Sequence, residues 1–412
     1  MDDRESIAAL AAKVRPDIPM LSRTIDGQPI VLMDSASTTP KPRAVIDAVV
    51  EYYERGTANV HRGVHAISQE ATQLYDAARL EAAGLIGAAP DEIVFVRGAT
   101  EAINLLRHSL ALGPDDEVVF PASEHHANWL PWRVGTRAVP MPIDPDGVPR
   151  WETIESLLTP RTRLVSFGHV SNVTGCIAPV EEMVRAAHAR GIPVLLDAAQ
   201  SLSHLPIDVR KLDVDFLAAS SHKAFGPSGV GILYGKRERM KDFPLYQVGG
   251  GMVAMNEDIV GSEPSHLLPR DVPFRFEAGT PAIEATIGFG AAIRWMRAIG
   301  LQAIHDNDVR MARYLVSRLR DVPGVRVLAA DVPPEQRIAL ATFVVDAPGM
   351  TQENVARALS DMFGVCVSGG FHCTHVLHAR AKLDGTVRAS PHVFNTCDEI
   401  DRLVEGVREI AS

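Results

Sequence analysis

A lysine and an aspartate each stand at the end of a buried apolar run. Lys223 lies in Ser220-Ser221-His222-Lys223-Ala224-Phe225-Gly226-Pro227, just past the run Val214 to Ala219. Asp197 closes the run Val194-Leu195-Leu196, with Gln200 shortly after it. Two such groups suit pyridoxal phosphate (PLP): a lysine can form a Schiff base with its aldehyde, and a carboxylate can pair with its ring nitrogen so that the ring accepts a carbanion's electrons. The plainer alternative is a surface lysine in a loop and an aspartate capping the next helix.

Other segments repeat the pattern of a strand ending in polar residues. Arg97-Gly98-Ala99-Thr100-Glu101 follows Ile93–Val96 and opens a helix, so its free N–H groups suit a phosphate; the alternative is a tight turn with Thr100 as N-cap. Glu124-His125-His126-Ala127-Asn128 follows Glu117–Phe120. His125 there can stack on a flat ring, or the cluster starts a helix capped by Ser123. Asn172, in His169-Val170-Ser171-Asn172-Val173-Thr174-Gly175, can bond a phenolic oxygen or form an Asx-turn. Ser220 and His222 can donate to a phosphate, or are ordinary loop polarity.

The elements that must position these residues alternate. The expected strands are Ile93–Val96, Glu117–Phe120, Leu164–Phe167, Val194–Leu196, Val214–Ala219 and Gly231–Tyr234. Helical patterns include Gln69–Ile86 and Val180–Arg190. Continuous β-branched runs between helices imply an α/β protein with a mostly parallel central sheet covered on both faces, whose ligands bind at the strands' carboxyl ends. After a helical stretch at 283–320 the pattern changes to a strand at Ile338–Val345, a helix at Thr351–Met362, a short strand at Val365–Val367 and an amphipathic last helix. Thr396 and Glu399 resemble a capping box at the start of that last helix. The division is a large domain over 26–300 and a smaller α+β domain formed by 1–25 plus 301–412. Gly249–Arg275 reads as an extended, hairpin-like excursion.

Composition narrows the class. The 412 residues are 46% hydrophobic and 22% charged, ordinary for a globular protein. A formal net charge of −10 argues against nucleic acid or an anionic membrane as partner. No signal peptide or membrane span of ~18 apolar residues is visible. Cys176, Cys366, Cys373 and Cys397 are too scattered for a disulfide scaffold and show no metal-ligand spacing, so a reducing cytoplasm is the expected setting.

Asp197-Ala198-Ala199-Gln200, Ser220 to Pro227 and Arg275-Phe276-Glu277-Ala278-Gly279-Thr280-Pro281 resemble the class V, fold-type I PLP enzymes. The branch they are most similar to is the SufS/CsdA-type cysteine desulfurases and selenocysteine lyases. The similarity also takes in Asp34-Ser35-Ala36-Ser37, Val60 to His65, Glu124 to Asn128 and Phe394-Asn395-Thr396. It implies a fold-type I PLP transferase in which Lys223 is the Schiff-base lysine and proton shuttle and Asp197 holds the ring nitrogen. His125 would stack on the ring, Gln200 and Asn172 would bond its phenolic oxygen, and Ala99, Thr100, Ser220 and His222 would hold the phosphate. Thr280 would reach the phosphate of the partner subunit in a homodimer. Arg388 would grip the substrate carboxylate with its planar fork, beside Asn172, His372 and Ala36.

Cys373, in Gly369-Gly370-Phe371-His372-Cys373-Thr374-His375, corresponds to the nucleophilic cysteine of the desulfurases. A thiolate on a mobile, Gly-flanked loop can reach the Sγ of bound cysteine, with His372 and His375 keeping it ionised or relaying protons; the alternative is a free loop thiol. The family branch usually reads Arg-Thr-Gly-His-His-Cys here. This chain has Ser368 for the arginine and Phe371 for a histidine. The resemblance therefore implies conversion of L-cysteine to L-alanine through a persulfide on Cys373, with the sulfur passed to an acceptor protein. The alternatives are selenocysteine lyase, a C–S β-lyase or epimerase of the same class, and a non-catalytic PLP-fold scaffold.

Overall fold

The computed structural model describes residues 2–25, 27–254 and 269–411. Seven strands form the main sheet: β1 (Ile93–Val96), β2 (Glu117–Pro121), β3 (Arg137–Met141), β4 (Thr162–Gly168), β5 (Val194–Asp197), β6 (Phe216–Ser220) and β7 (Gly231–Gly235). Their order is β1-β7-β6-β5-β4-β2-β3, and only β7 runs antiparallel to its neighbours. The apolar runs are continuous because each strand feeds two cores. In β5, Val194 and Leu196 join one cluster and Leu195 the other. Helix Ala99–Ser109 packs over β6 and β7, while helix Ile283–Ile299 packs against Arg43–Glu51 and Ala66–Ile86.

A second sheet is antiparallel: β8 (Val325–Val327), β9 (Ala341–Val345), β10 (Ser368–Gly370) and β11 (Thr386–Ala389), ordered β8-β9-β11-β10. Its core includes Val355 and Leu359 from helix Gln352–Phe363, Met311 and Leu315 from Leu301–Arg320, and Ile400, Leu403 and Val407 from Cys397–Ala411. The capping box forms: the Thr396 N–H donates to Glu399 Oε2 and the Glu399 N–H to Thr396 Oγ1. Helix Asp3–Val14 packs on Leu301–Arg320 and places Ile7 in this second core.

Several elements differ from the sequence expectation. Strand β3 was not expected; it lies at the sheet edge, is mostly half-exposed and contains Arg137 and Pro140. The stretch 283–320 is two helices, parted at Gly300, whose φ of 94° ends the first. Val365–Cys366 pairs in parallel with Val31–Leu32, outside the second sheet. The strand expected from Ile338 begins at Ala341, because the Ile338 N–H is taken by the Gly175 carbonyl. Of the expected hairpin-like excursion, Val253 and Pro269 form an antiparallel bridge, and 255–268 lie outside the described residues. Among the described residues no helix is long and apolar enough to cross a membrane.

Candidate active site

The carboxyl ends of β1, β2, β4, β5 and β6 open on one cavity of about 470 Å³. Ala99 and Thr100 follow β1, His125 follows β2, Asn172 follows β4, Asp197 ends β5 with Gln200 just beyond, and Ser220 ends β6 with His222 and Lys223 in the next turn. The second sheet closes the cavity with Arg388, from β11, and with His372 and Cys373, from the turn after β10; Ala36 completes the wall. Thr280 stands apart, bordering a separate depression with Asn59, Arg62 and Gly250.

Lys223 sits within electrostatic reach of Arg388, Asp197, Cys373 and Asp34. Burial, reinforced by the Arg388 guanidinium, pushes its ammonium down to about 8 against the opposing pull of Asp197. Asp197 is 7% exposed, and burial raises its pKa even though the Ala199 N–H donates to Oδ1 at 2.9 Å. Among the described residues no donor meets its second oxygen. A desolvated carboxylate with a spare acceptor gains from a cationic ring nitrogen, so this pair fits PLP.

The phosphate end also fits. Helix Ala99–Ser109 begins after Gly98, which has no side chain to cap it, and Thr100 lies within the first turn rather than at the cap. Ser220 Oγ accepts the Ala99 N–H at 2.8 Å, which leaves the next N–H groups available to an anion. A Cβ on Gly231 would fall 2.6 Å from Gly98 Cα, so this glycine lets β7 lie close under the turn.

The remaining polar groups are held by their neighbours. Gln200 Nε2 donates to the Ala36 carbonyl at 2.9 Å, and Asn172 Nδ2 to the His372 carbonyl at 2.9 Å. Asn172 makes no Asx-turn; the side chain of Ser171 accepts the Thr174 N–H instead. His125, not Ser123, caps the short helix His126–Trp129, its Nδ1 accepting the Ala127 N–H. Burial, then the charges of Lys223, His126 and Arg388, pushes His125 down to about 4, so its ring is neutral. Burial likewise takes His222 to about 4, with Lys223 and Lys41 adding to it, and His372 to about 3, with Arg388 and His378 adding to it.

Arg388 is 3% exposed and faces Ser368 and Thr342 across the strands. Its Nη2 donates to Ser37 Oγ at 2.7 Å and Asp34 Oδ1 at 3.2 Å, and Nη1 donates to the Asn172 carbonyl at 3.1 Å. Its Nε is buried and, among the described residues, has no partner.

Cys373 is exposed, on a short turn between β10 and helix His375–Ala381. The turn is tied at several points. The His372 and Cys373 carbonyls are held by Asn172 and by the His126 N–H, His372 Nε2 meets Thr386 Oγ1 at 3.0 Å, and the Thr374 N–H closes onto the Phe371 carbonyl. His372 and Cys373 both take left-handed backbone, with φ of 47° and 57°. His372 is thus neutral and occupied with Thr386.

Sequence reasoning gave no role to several cavity residues. Glu124 accepts from the Gly168 N–H and Asn128 Nδ2, each at 2.8 Å, and burial raises it to about 8. Asp34 and Ser37 stood in a quoted motif without a function. Trp151 and Cys176 also line the cavity, with no motif to mark them.

Residues 31–403 match the family described as Aminotransferase class-V. The chain belongs to that family. It is 39% identical over 411 residues to a probable cysteine desulfurase of Synechocystis, covering 98% of this chain and 96% of that one. It is 38% identical over 407 residues to a cysteine desulfurase of Escherichia coli, covering 97% of each. Among solved structures, a cysteine desulfurase of Thermococcus onnurineus superposes with a TM-score of 0.89 at 32% identity, covering 97% of this chain and 98% of the other. The cysteine desulfurase CsdA of Escherichia coli, in an S-sulfonic acid form, superposes with a TM-score of 0.85 at 32% identity over the same shares.

Proposed function

We propose that the chain is a PLP-dependent cysteine desulfurase that converts L-cysteine to L-alanine and hands the sulfur to an acceptor protein. The observation that carries this is the Cys373 turn opening on the same cavity as Lys223, Asp197 and Arg388. When bound, the cofactor supplies the electron sink for charge at the substrate Cα. Asp197 would pair with the ring nitrogen and His125 would stack on the ring. Gln200 and Asn172 would serve the phenolic oxygen, and Ala99, Thr100, Ser220 and His222 would hold the phosphate. Lys223 would bind the aldehyde carbon and move the Cα proton, which an amine lowered to about 8 does readily near neutral pH. Arg388, with Ala36, Asn172 and His372 around it, binds the substrate carboxylate. The Cys373 thiolate then attacks the substrate Sγ. The new S–S bond forms as the C–S bond breaks, the electron pair stays with the carbon fragment, and that fragment leaves as alanine after protonation.

The position of Thr280 away from the cavity supports a homodimer in which it serves the partner's site. The exposed side chains of Val50, Tyr53, Val64 and Ile67 supply apolar surface for such an interface. The four free cysteines fit a cytoplasmic setting. A small domain built from both chain ends draws support from the second sheet's core, which joins Ile7 to residues between Met311 and Val407, although that core also takes in Val31 and Met33 from the segment assigned to the large domain.

The test is incubation of the purified holoenzyme with L-cysteine and a reductant. Sulfide and alanine in equal amounts are expected. Pyruvate with ammonia would replace this reading with β-elimination, and turnover confined to selenocysteine would replace it with selenocysteine lyase.

A further inference from the structure

Three aromatic rings from two segments stack beside the Cys373 turn. Phe371 lies over His375 at 4.7 Å between centroids and 14° between planes, and His375 lies over His126 at 5.0 Å and 23°. Phe371 and His375 bracket Cys373 in sequence, while His126 opens the helix that follows β2. The backbone completes the arrangement, with the His126 N–H donating to the Cys373 carbonyl at 2.9 Å. His126 thus meets the turn twice, through its backbone at Cys373 and through its ring at His375.

His375 could instead handle protons for the thiol, as the sequence suggested. Its geometry favours packing: it is solvent-exposed, both ring faces are covered, and among the described residues its ring nitrogens have no hydrogen-bond partner. A half-buried Phe371 at the end of the stack has no proton to give. The turn needs such support because His372 and Cys373 both adopt left-handed backbone, which side chains of this kind disfavour.

The geometry points to Phe371, His375 and His126 as positioning residues, an aromatic clamp that fixes the Cys373 turn over the cavity. Its consequence for turnover rests on the desulfurase reading. The clamp touches neither Arg388 nor Lys223, so it acts on delivery of the thiol and not on substrate binding.

The experiment uses holoenzyme with His375→Ala, His375→Phe, Phe371→Ala and the Phe371→Ala/His375→Ala pair. Amide exchange of the peptide spanning 368–376 is followed beside kcat and KM for sulfide release from L-cysteine. His375→Ala should speed exchange there and lower kcat about tenfold, with KM nearly unchanged, since stacked pairs contribute modestly. His375→Phe should restore both, and the double variant should be little worse than either single one. Loss of kcat in His375→Phe equal to that in His375→Ala would overturn the clamp in favour of imidazole chemistry, and so would unchanged exchange in His375→Ala. If the wild type releases no sulfide but exchange follows the expected order, the desulfurase reading fails while the clamp stands.

Discussion

Truncating Arg388 removes the cation assigned to the substrate carboxylate. In the free enzyme its Nη2 is shared between Ser37 and Asp34, and its Nη1 is on the Asn172 carbonyl. A substrate carboxylate in the fork makes two charge-assisted hydrogen bonds, each ~1.5–3 kcal/mol, so ~3 kcal/mol is the lower bound of the gross gain. Arg388→Ala also leaves the Asp34 carboxylate without its cation and close to the incoming anion. At ~1.4 kcal/mol per tenfold, kcat/KM should fall at least about a hundredfold. Arg388→Lys should recover only part, because an ammonium cannot make the bidentate fork. The assay is steady-state sulfide release, with the visible absorbance of bound cofactor confirming a loaded, folded site. Near-wild-type kinetics in Arg388→Ala would refute the reasoning outright. Among the described residues no other arginine lines the cavity to take over.

Cys373→Ala should abolish sulfide release while cofactor loading persists, since the thiol is exposed and alanine suits its backbone no worse; full activity would remove Cys373 as nucleophile. Borohydride reduction and peptide mapping should place the pyridoxyl group on Lys223, and a label on another lysine would reject the assignment. Because burial and Arg388 lower the Lys223 amine to about 8, its reactive free base appears as pH rises through about 8, not through the ordinary 10.5. Reloading of apoenzyme with PLP should follow that midpoint, and Arg388→Ala, by removing a repelling charge, should move it upward; a midpoint near 10.5 in the wild type would contradict the burial argument. Sedimentation should show a homodimer, and an active, PLP-loaded monomer would exclude a shared site involving Thr280.

The parallel sheet was legible because strands covered on both faces must be apolar at every position. Ile93–Val96 and the run into Asp197 carry that mark in their residue types. Strand β3 and the glycine-rich β10 carry none: β3 is mostly half-exposed, unlike the fully buried edge strand β1, and β10 is a strand because β11 supplies its partners. The chemistry-bearing residues were legible for a related reason. A lysine, an aspartate or a histidine directly after a buried strand reaches the same sheet edge whatever the loops do. What the sequence by itself determined was therefore the sheet, its carboxyl edge and the chemical groups gathered there. Tertiary structure alone decided that Asp34 and Ser37 hold Arg388, that Ser368 faces it across the strand, that the Cys373 turn is tied down, and that His126, His375 and Phe371 stack. Apart from the local Phe371–His375 stack, those contacts join separate segments of the chain, and whether they form depends on how the two sheets dock, which local propensity and periodicity do not encode.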